Sequence, residues 1–350
     1  MYKISVITED DFEVTFECPP SEDIISAGVG SDVILLSSCH EGGCATCKAE
    51  CLEGEYELGR CSVQALPPDE EEASKVLLCR TYPRSDLVIR VPYTFERISF
   101  QKANTDWQGE IVAVEKIASN VAKLQIEPKD LETGMAVQIP FLAGQYLDIE
   151  IPGTGTSRCY SMATIDDDPS LDFLIRILPD GRFSQFLSSE AVPGVVMKLR
   201  GPFGGFNIRE NGLRARYFVA GGTGLAPVLS MIRYMKREQH PQEAKLFFGV
   251  THQHEVFYLA ELKKLEAEMP NLKVYVTVMK PDSDWQGCTG TVVDELIKQL
   301  RDAKVKPDIY LCGPPAMIDA TFAAAATCGV PKEQVYVEKF LASGAAVAAE

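Results

Sequence analysis

The sequence predicts a multidomain protein of mixed class: a small α+β unit, an antiparallel β-barrel and a parallel-sheet α/β unit, in that order. Three observations predict it. The first hundred residues join two short strands to a cysteine-rich loop. The next hundred hold strand-like runs divided by Gly, Pro and Asp turns. From Arg214 onward, strands and helices alternate. A chain of 350 residues is also too long for one ordinary core.

In the first unit, residues 2–8 and 12–18 read as strands around a Glu9-Asp10-Asp11 turn. Phe12, Val14 and Phe16 alternate with Glu13, Thr15 and Glu17, the period of two expected of a half-buried strand. Ser21 is the expected cap of a short helix over residues 23–28. Cys39, Cys44 and Cys47 follow, separated by four and then two residues, and Cys79 comes later behind the apolar run Val76-Leu77-Leu78. This is the ligand spacing of a plant-type [2Fe–2S] cluster. Gly42 and Gly43 let the loop turn its N–H groups inward, where they stabilise a negatively charged centre. A zinc site would want a second close pair of ligands. A Rieske centre would want two histidines, and only His40 is near. Cys61 is an alternative fourth ligand to Cys79; Cys18, Cys51 and Cys61 are otherwise read as structural thiols. Strand, strand, helix, loop and late cysteine fit a β-grasp [2Fe–2S] ferredoxin domain over residues 1–100, followed by a polar linker, 101–106.

Residues 107–209 carry six candidate strands, 110–119, 122–127, 145–151, 159–163, 172–178 and 195–199, as expected of a closed antiparallel barrel. Within it, Arg158-Cys159-Tyr160-Ser161 supplies a cation for a pyrophosphate, an aromatic plane and a hydroxyl donor. Those are the three things a flavin asks of a protein. In a strand, residues 158 and 160 share one face and 161 takes the other. Asp180-Gly181-Arg182-Phe183-Ser184 passes from strand to helix, and a helix start after glycine suits a pyrophosphate. Gly181, Phe183 and Ser184 therefore join Arg158, Tyr160 and Ser161 as candidate FAD contacts. Taken alone, Arg-x-Tyr-Ser also describes an ordinary surface strand; its place between a cluster unit and a nucleotide unit favours the flavin.

Residues 210–350 alternate strand and helix, the pattern of a parallel, Rossmann-like sheet. Gly221-Gly222-Thr223-Gly224 follows a strand and opens a helix containing Pro227. This departs from G-x-G-x-x-G, because Pro227 takes the third glycine's place; proline is tolerated in a first helical turn. Cys312-Gly313-Pro314 ends another strand. Both loops would lie at the carboxyl edge of the sheet, where dinucleotides bind. Cys312 either approaches a nicotinamide or is a small buried thiol. The segment Thr251-His252-Gln253-His254-Glu255 after the second strand has no Arg or Lys for a 2′-phosphate, and Glu255 would repel one. NADH is expected rather than NADPH. The Ala-rich stretch 342–350 reads as a frayed terminus.

The net charge of −16 argues against nucleic acid. Residues 1–98 carry 19 Asp and Glu against 8 Lys and Arg, a net of −11. An acidic first domain suits docking to a basic patch on an electron acceptor; a solvated face is the alternative. No apolar run is long enough to span a bilayer, and Met1 leads directly into a strand-like pattern, so neither membrane insertion nor a signal peptide is expected. Eleven cysteines, an odd number, suit a reducing cytoplasm. A monomer is expected.

Arg158–Ser161, Gly221–Pro227 and Cys312–Pro315 resemble the ferredoxin–NADP reductase superfamily. With Cys39, Cys44, Cys47 and Cys79, the whole chain resembles the reductase components of bacterial multicomponent oxygenases. Residues 41–49, 63–68, 78–83, 217–220 and 338–340 resemble those serving soluble methane monooxygenases. The resemblance implies that NADH passes hydride to FAD, that electrons leave singly through the cluster, and that a separate diiron hydroxylase receives them. It implies catalytic roles for Ser161 and Cys312, and for Phe340 beside the flavin ring; a core position is the alternative for Phe340. A reductase for a phenol or other aromatic oxygenase would share all three modules. A redox-sensing binding protein is a third class. The chain lacks a Glu-x-x-His pair for a diiron site of its own.

Overall fold

The computed structural model describes residues 1–37, 40, 42–43, 45–63, 65–100, 105–209 and 212–339. Cys39, Cys44, Phe340, most of the expected linker and the Ala-rich terminus lie outside the described residues. The chain forms two compact units. Of the described residues, one unit takes those within 1–105 with 203–205 and Lys339, the other those within 106–202 and 206–338.

The first unit is built on a five-stranded mixed sheet. Its order is Glu13–Cys18, Tyr2–Ile7, Leu87–Arg90, Lys48–Glu53 and Lys75–Leu77. Tyr2–Ile7 pairs antiparallel with Glu13–Cys18 and parallel with Leu87–Arg90. Alternation in the second strand sends Val14, Phe16 and Cys18 into the core with Ile4, Val6 and Ile89. Phe12 is not part of that set: it is 57% exposed, because the strand starts one residue later and the Thr8–Phe12 turn turns the chain there. The helix Ile24–Gly30 crosses the sheet and buries Ile24, Ile25 and Ala27. Its cap is Asp23 rather than Ser21. The Asp23 carboxylate accepts the Ser26 N–H at 3.0 Å and the Ser26 hydroxyl at 2.6 Å, meeting the donors that a helix start leaves open.

The second unit combines both remaining architectures. Six antiparallel strands form the barrel, in the order Thr156–Ser161, Tyr146–Ile151, Val196–Phe203, Thr105–Ala118, Val121–Lys129 and Leu171–Arg176. A bridge between Met162 and Phe173 joins the two ends of that order. Leu124, Ile126, Leu147, Ile149, Phe173 and Ile175 fill the interior, each buried side chain contributing roughly 1.5–3 kcal/mol. The other sheet has the order Cys288–Thr289, Leu272–Lys280, Ala244–His252, Arg216–Gly221, Asp308–Gly313 and Val335–Lys339. The four neighbouring strand pairs from Cys288–Thr289 across to Asp308–Gly313 are parallel. Tyr217 and Val219 join the core under the helices Val292–Asp302 and Pro315–Thr327, while Phe218 stacks on Tyr310. Cys288–Thr289 is an added short strand, too brief to show periodicity. The stretch after Ala244–His252 is not one helix from Glu255. Glu255 closes a short 3-10 turn, Tyr258 takes φ +57°, and the helix runs Leu259–Glu268.

Barrel and parallel sheet are fastened directly. Ser230 donates to the Thr164 carbonyl at 2.5 Å, Arg233 to the Ala163 carbonyl at 2.8 Å, and Arg237 pairs with Asp166 at 2.6 Å. Elsewhere Asn120 donates to Glu255 at 2.8 Å. Among the described residues no helix is long and apolar enough to cross a membrane.

Candidate functional site

The parallel sheet reverses direction of growth at Arg216–Gly221: the chain next adds Ala244–His252 on one side and later Asp308–Gly313 on the other. Such a switch point opens a crevice beyond the carboxyl ends of the strands. Gly221–Gly224 and Cys312–Pro314 leave the two neighbouring strands there and touch. A Cβ on Gly224 would lie 2.3 Å from the Cys312 carbonyl oxygen, so only glycine allows this approach. Gly222–Gly224 forms a 3-10 turn running into the helix Leu225–Arg237. Pro227 is buried in the first turn of that helix. Pro314, by contrast, is exposed.

The Arg-x-Tyr-Ser strand brings the barrel to this place. Tyr160 pairs across from Leu147 and Arg158 from Ile149, while Ser161 pairs across from Tyr146. Residues 158 and 160 thus share a face and Ser161 takes the other. Tyr160 meets the buried Phe183 edge-on at 4.8 Å, and its hydroxyl is held above the usual phenol range by burial. Arg158 donates to the Ser157 carbonyl at 2.7 Å. Gly181 caps the helix Arg182–Ser189. Phe183 and Ser184 are both buried: Phe183 belongs to the barrel core, and the Ser184 hydroxyl accepts the Leu178 N–H at 2.9 Å. They support the turn, leaving Gly181 and the helix start as its open part.

One residue that periodicity and motif spacing missed completes the arrangement. Ser161 donates to Glu338 at 3.1 Å across 177 residues of sequence. Glu338 stands in the last strand, Val335–Lys339, and is only 3% exposed. Burial pushes its carboxyl up to about 8, and the Ser161 hydrogen bond opposes that rise. Cys312 is fully buried nearby; burial first, then the Glu338 charge, raise its thiol well above the ordinary range. A hydroxyl, a largely protonated carboxyl and a neutral thiol are therefore gathered from the barrel and two strands of the sheet. They can hold and exchange a proton without placing a charge in the crevice. The sequence signal for Glu338 is an acid following the run Val335, Tyr336 and Val337 in the strand Val335–Lys339. A separate cavity of about 690 Å³, lined by residues including Thr164, Asp172, Arg233 and Glu261, contains none of these groups.

In the first unit, Cys47 and Cys79 are buried, 3% and 2% exposed. Lys48 pairs with Leu77, and the Leu78 N–H donates to the Cys47 carbonyl at 3.1 Å, which sets the two cysteine segments side by side. The loop before Cys47 is turned by positive φ at His40 (53°), Gly42 (76°) and Ala45 (57°). At Gly42 a Cβ would also lie 2.9 Å from the Arg60 carbonyl oxygen. Buried cysteine sulfurs beside such a loop are the donor chemistry an iron–sulfur cluster needs. Cys18, Cys51 and Cys61 each lie within sulfur hydrogen-bond reach of a backbone carbonyl, those of Glu22, Glu53 and Gly59. Burial, with Glu22 and Asp23 adding to it, pushes the Cys18 thiol up to about 12. His40 Nε2 lies 3.0 Å from the Ser37 hydroxyl.

Three family models match the chain in succession. They are a 2Fe-2S iron-sulfur cluster binding domain over residues 7–84, an oxidoreductase FAD-binding domain over 108–208 and an oxidoreductase NAD-binding domain over 218–322. The chain is 50% identical over 300 residues to methane monooxygenase component C of Methylosinus trichosporium, covering 86% of this chain and 87% of that one. It is 33% identical over 345 residues to the toluate 1,2-dioxygenase electron transfer component of Pseudomonas putida, covering 98% and 99%. Among solved structures, Amycolatopsis cytochrome P450 reductase GcoB shares the fold, with a TM-score of 0.81 at 24% identity over 96% of this chain and 98% of that one. Full-length similarity, three cofactor domains in this order and a nucleotide crevice at the switch point lead to one conclusion: the chain belongs to the ferredoxin–NADP reductase superfamily, among the [2Fe–2S]-, FAD- and NAD-binding reductase components of oxygenase systems.

Proposed function

We propose that this chain oxidises NADH and delivers the electrons, one at a time, to the diiron hydroxylase of a soluble methane or small-alkane monooxygenase. When bound, FAD supplies the step from a two-electron donor to a one-electron cluster. Arg158 and the helix start at Gly181 would hold its pyrophosphate, and Tyr160 and Ser161 would hold its ring. Gly221–Gly224 and Cys312–Pro314 would hold the dinucleotide. Cys39, Cys44, Cys47 and Cys79 would hold the cluster, and Phe340 would cover the ring until nicotinamide enters. The observation carrying the reading is the meeting of Ser161, Glu338 and Cys312 beside the Gly221–Gly224 turn. The absence of Lys and Arg from residues 251–258 supports NADH over NADPH.

The acidic first unit supports docking to the hydroxylase through that unit. Asp69, Glu71 and Glu72 are exposed on the helix Pro68–Glu72, whereas Glu70 pairs with Lys48. Methane is favoured by the 50% identity to methane monooxygenase component C. The 33% identity to an electron transfer component of toluate 1,2-dioxygenase keeps an aromatic oxygenase as the second reading. An anaerobic NADH titration should bleach the flavin and then give the EPR signal of a reduced [2Fe–2S] centre. Reduction of a purified diiron hydroxylase separates the readings. Electron delivery to a Rieske oxygenase and to no diiron hydroxylase would overturn the methane assignment.

A further inference from the structure

The turn after the Ala244–His252 strand gathers two of the chain's four histidines. His252 ends the strand and His254 lies in the turn Gln253–Glu255, their rings nearly parallel with centroids 5.3 Å apart. One ligand atom from each of His252, His254 and Glu255 lies within 4.8 Å of the others, the one such grouping among the described residues. His252 Nδ1 is 3.8 Å from Glu255 Oε2, beyond a hydrogen bond. Two ligands on one tetrahedral ion, with bonds of 2.0–2.1 Å, stand about 3.4 Å apart. A shift of a few tenths of an ångström would bring the pair to that spacing.

The backbone of this turn is already held. Glu255 Oε2 accepts the N–H groups of Thr251 at 3.1 Å and His252 at 2.9 Å, and Oε1 accepts Asn120 Nδ2 at 2.8 Å. The His254 carbonyl accepts the Ser119 N–H at 3.1 Å. Four bonds therefore fix the chain around the histidines. They leave Glu255 its negative charge and one lone pair on Oε1; Oε2, the oxygen nearer His252, would give up one of its two N–H bonds to join an ion. His252 is partly exposed and His254 exposed, so an ion in solution can reach them. The His252 ring takes part in a capping box with the Glu255 N–H, so an ion would displace that contact or use the other ring nitrogen; His40 is engaged with Ser37 and His240 with Arg216.

We propose that His252 and His254, backed by the Glu255 carboxylate, bind one divalent transition-metal ion of the class that imidazole favours, such as zinc or nickel. The hard ions magnesium and calcium prefer all-oxygen sites and are not expected here.

The test is calorimetric titration of the untagged holoprotein with Ni²⁺, chosen because exposed or partly exposed thiols such as Cys159 and Cys288 would compete for softer ions. One Ni²⁺ per chain is expected. His254→Gln and His252→Gln should each weaken binding about tenfold or more. Retention of the untagged protein on immobilised Ni²⁺ should fall in the same order, with flavin and cluster absorbance unchanged. Absence of binding to the parent protein, or variants that bind as tightly as the parent, would overturn the proposal.

Discussion

Glu338→Gln should remove a pH dependence that the wild-type protein carries near pH 8. Raising this carboxyl from its ordinary 4.5 to about 8 corresponds to roughly 5 kcal/mol in favour of its neutral form. The folded chain therefore keeps a proton between those values that the unfolded chain releases. That contribution to stability is fully present below 4.5 and is lost as pH rises through about 8. Glutamine preserves the shape without the titration. In anaerobic rapid mixing with NADH, the wild-type rate of flavin reduction should change around pH 8, and the variant's should not. Thermal melts at about pH 6 and about pH 9 give a second readout: the drop in melting temperature should be smaller for Glu338→Gln. Ser161 sharpens the test, since its hydroxyl holds the Glu338 value down. Ser161→Ala should move the wild-type transition to higher pH. An unchanged transition in Glu338→Gln, or a downward shift in Ser161→Ala, would refute the reasoning.

Other perturbations follow from single contacts. Gly224→Ala places a methyl 2.3 Å from the Cys312 carbonyl oxygen; it should destabilise the chain by about 1–3 kcal/mol and raise the KM for NADH in steady-state assays. Gly42→Ala combines φ +76° with a 2.9 Å approach to the Arg60 carbonyl oxygen; iron content should fall while FAD content is kept, by metal and flavin analysis. Glu71→Gln with Glu72→Gln should slow acceptor reduction at low salt and flatten its salt dependence. Glu70→Gln alone should do so less, because Lys48 already neutralises Glu70. Equal kinetics for all three across ionic strength would remove the acidic helix from docking.

Much of the fold was legible because it rests on local patterns. The alternation around Val14 and Phe16, the six barrel runs and the strand–helix sequence after Arg214 each reflect burial on one face. Errors fell where a short-range hydrogen bond outweighed pattern. Asp23 captures Ser26 and so replaces Ser21 as the cap. Glu255 is drawn into the Thr251 and His252 N–H groups, which ends the turn early and delays the helix.

The site was only half legible, and the reason is physical. Gly-rich turns and cysteine spacings are local geometries, so residues a few positions apart reveal them. A proton-holding pair needs only two side chains in one desolvated place, and nothing constrains their separation along the chain. Ser161 sits in a recognisable motif, but its partner lies 177 residues away, behind the core-like run Val335-Tyr336-Val337. What marks Glu338 is a conflict: a carboxyl at a buried strand position costs several kcal/mol unless it stays neutral or bonded. The fold meets that cost with the Ser161 hydroxyl and a raised carboxyl. Those two features also let the crevice keep a proton without a net charge. An acid at a core position of a strand is thus a site signal that periodicity alone discards.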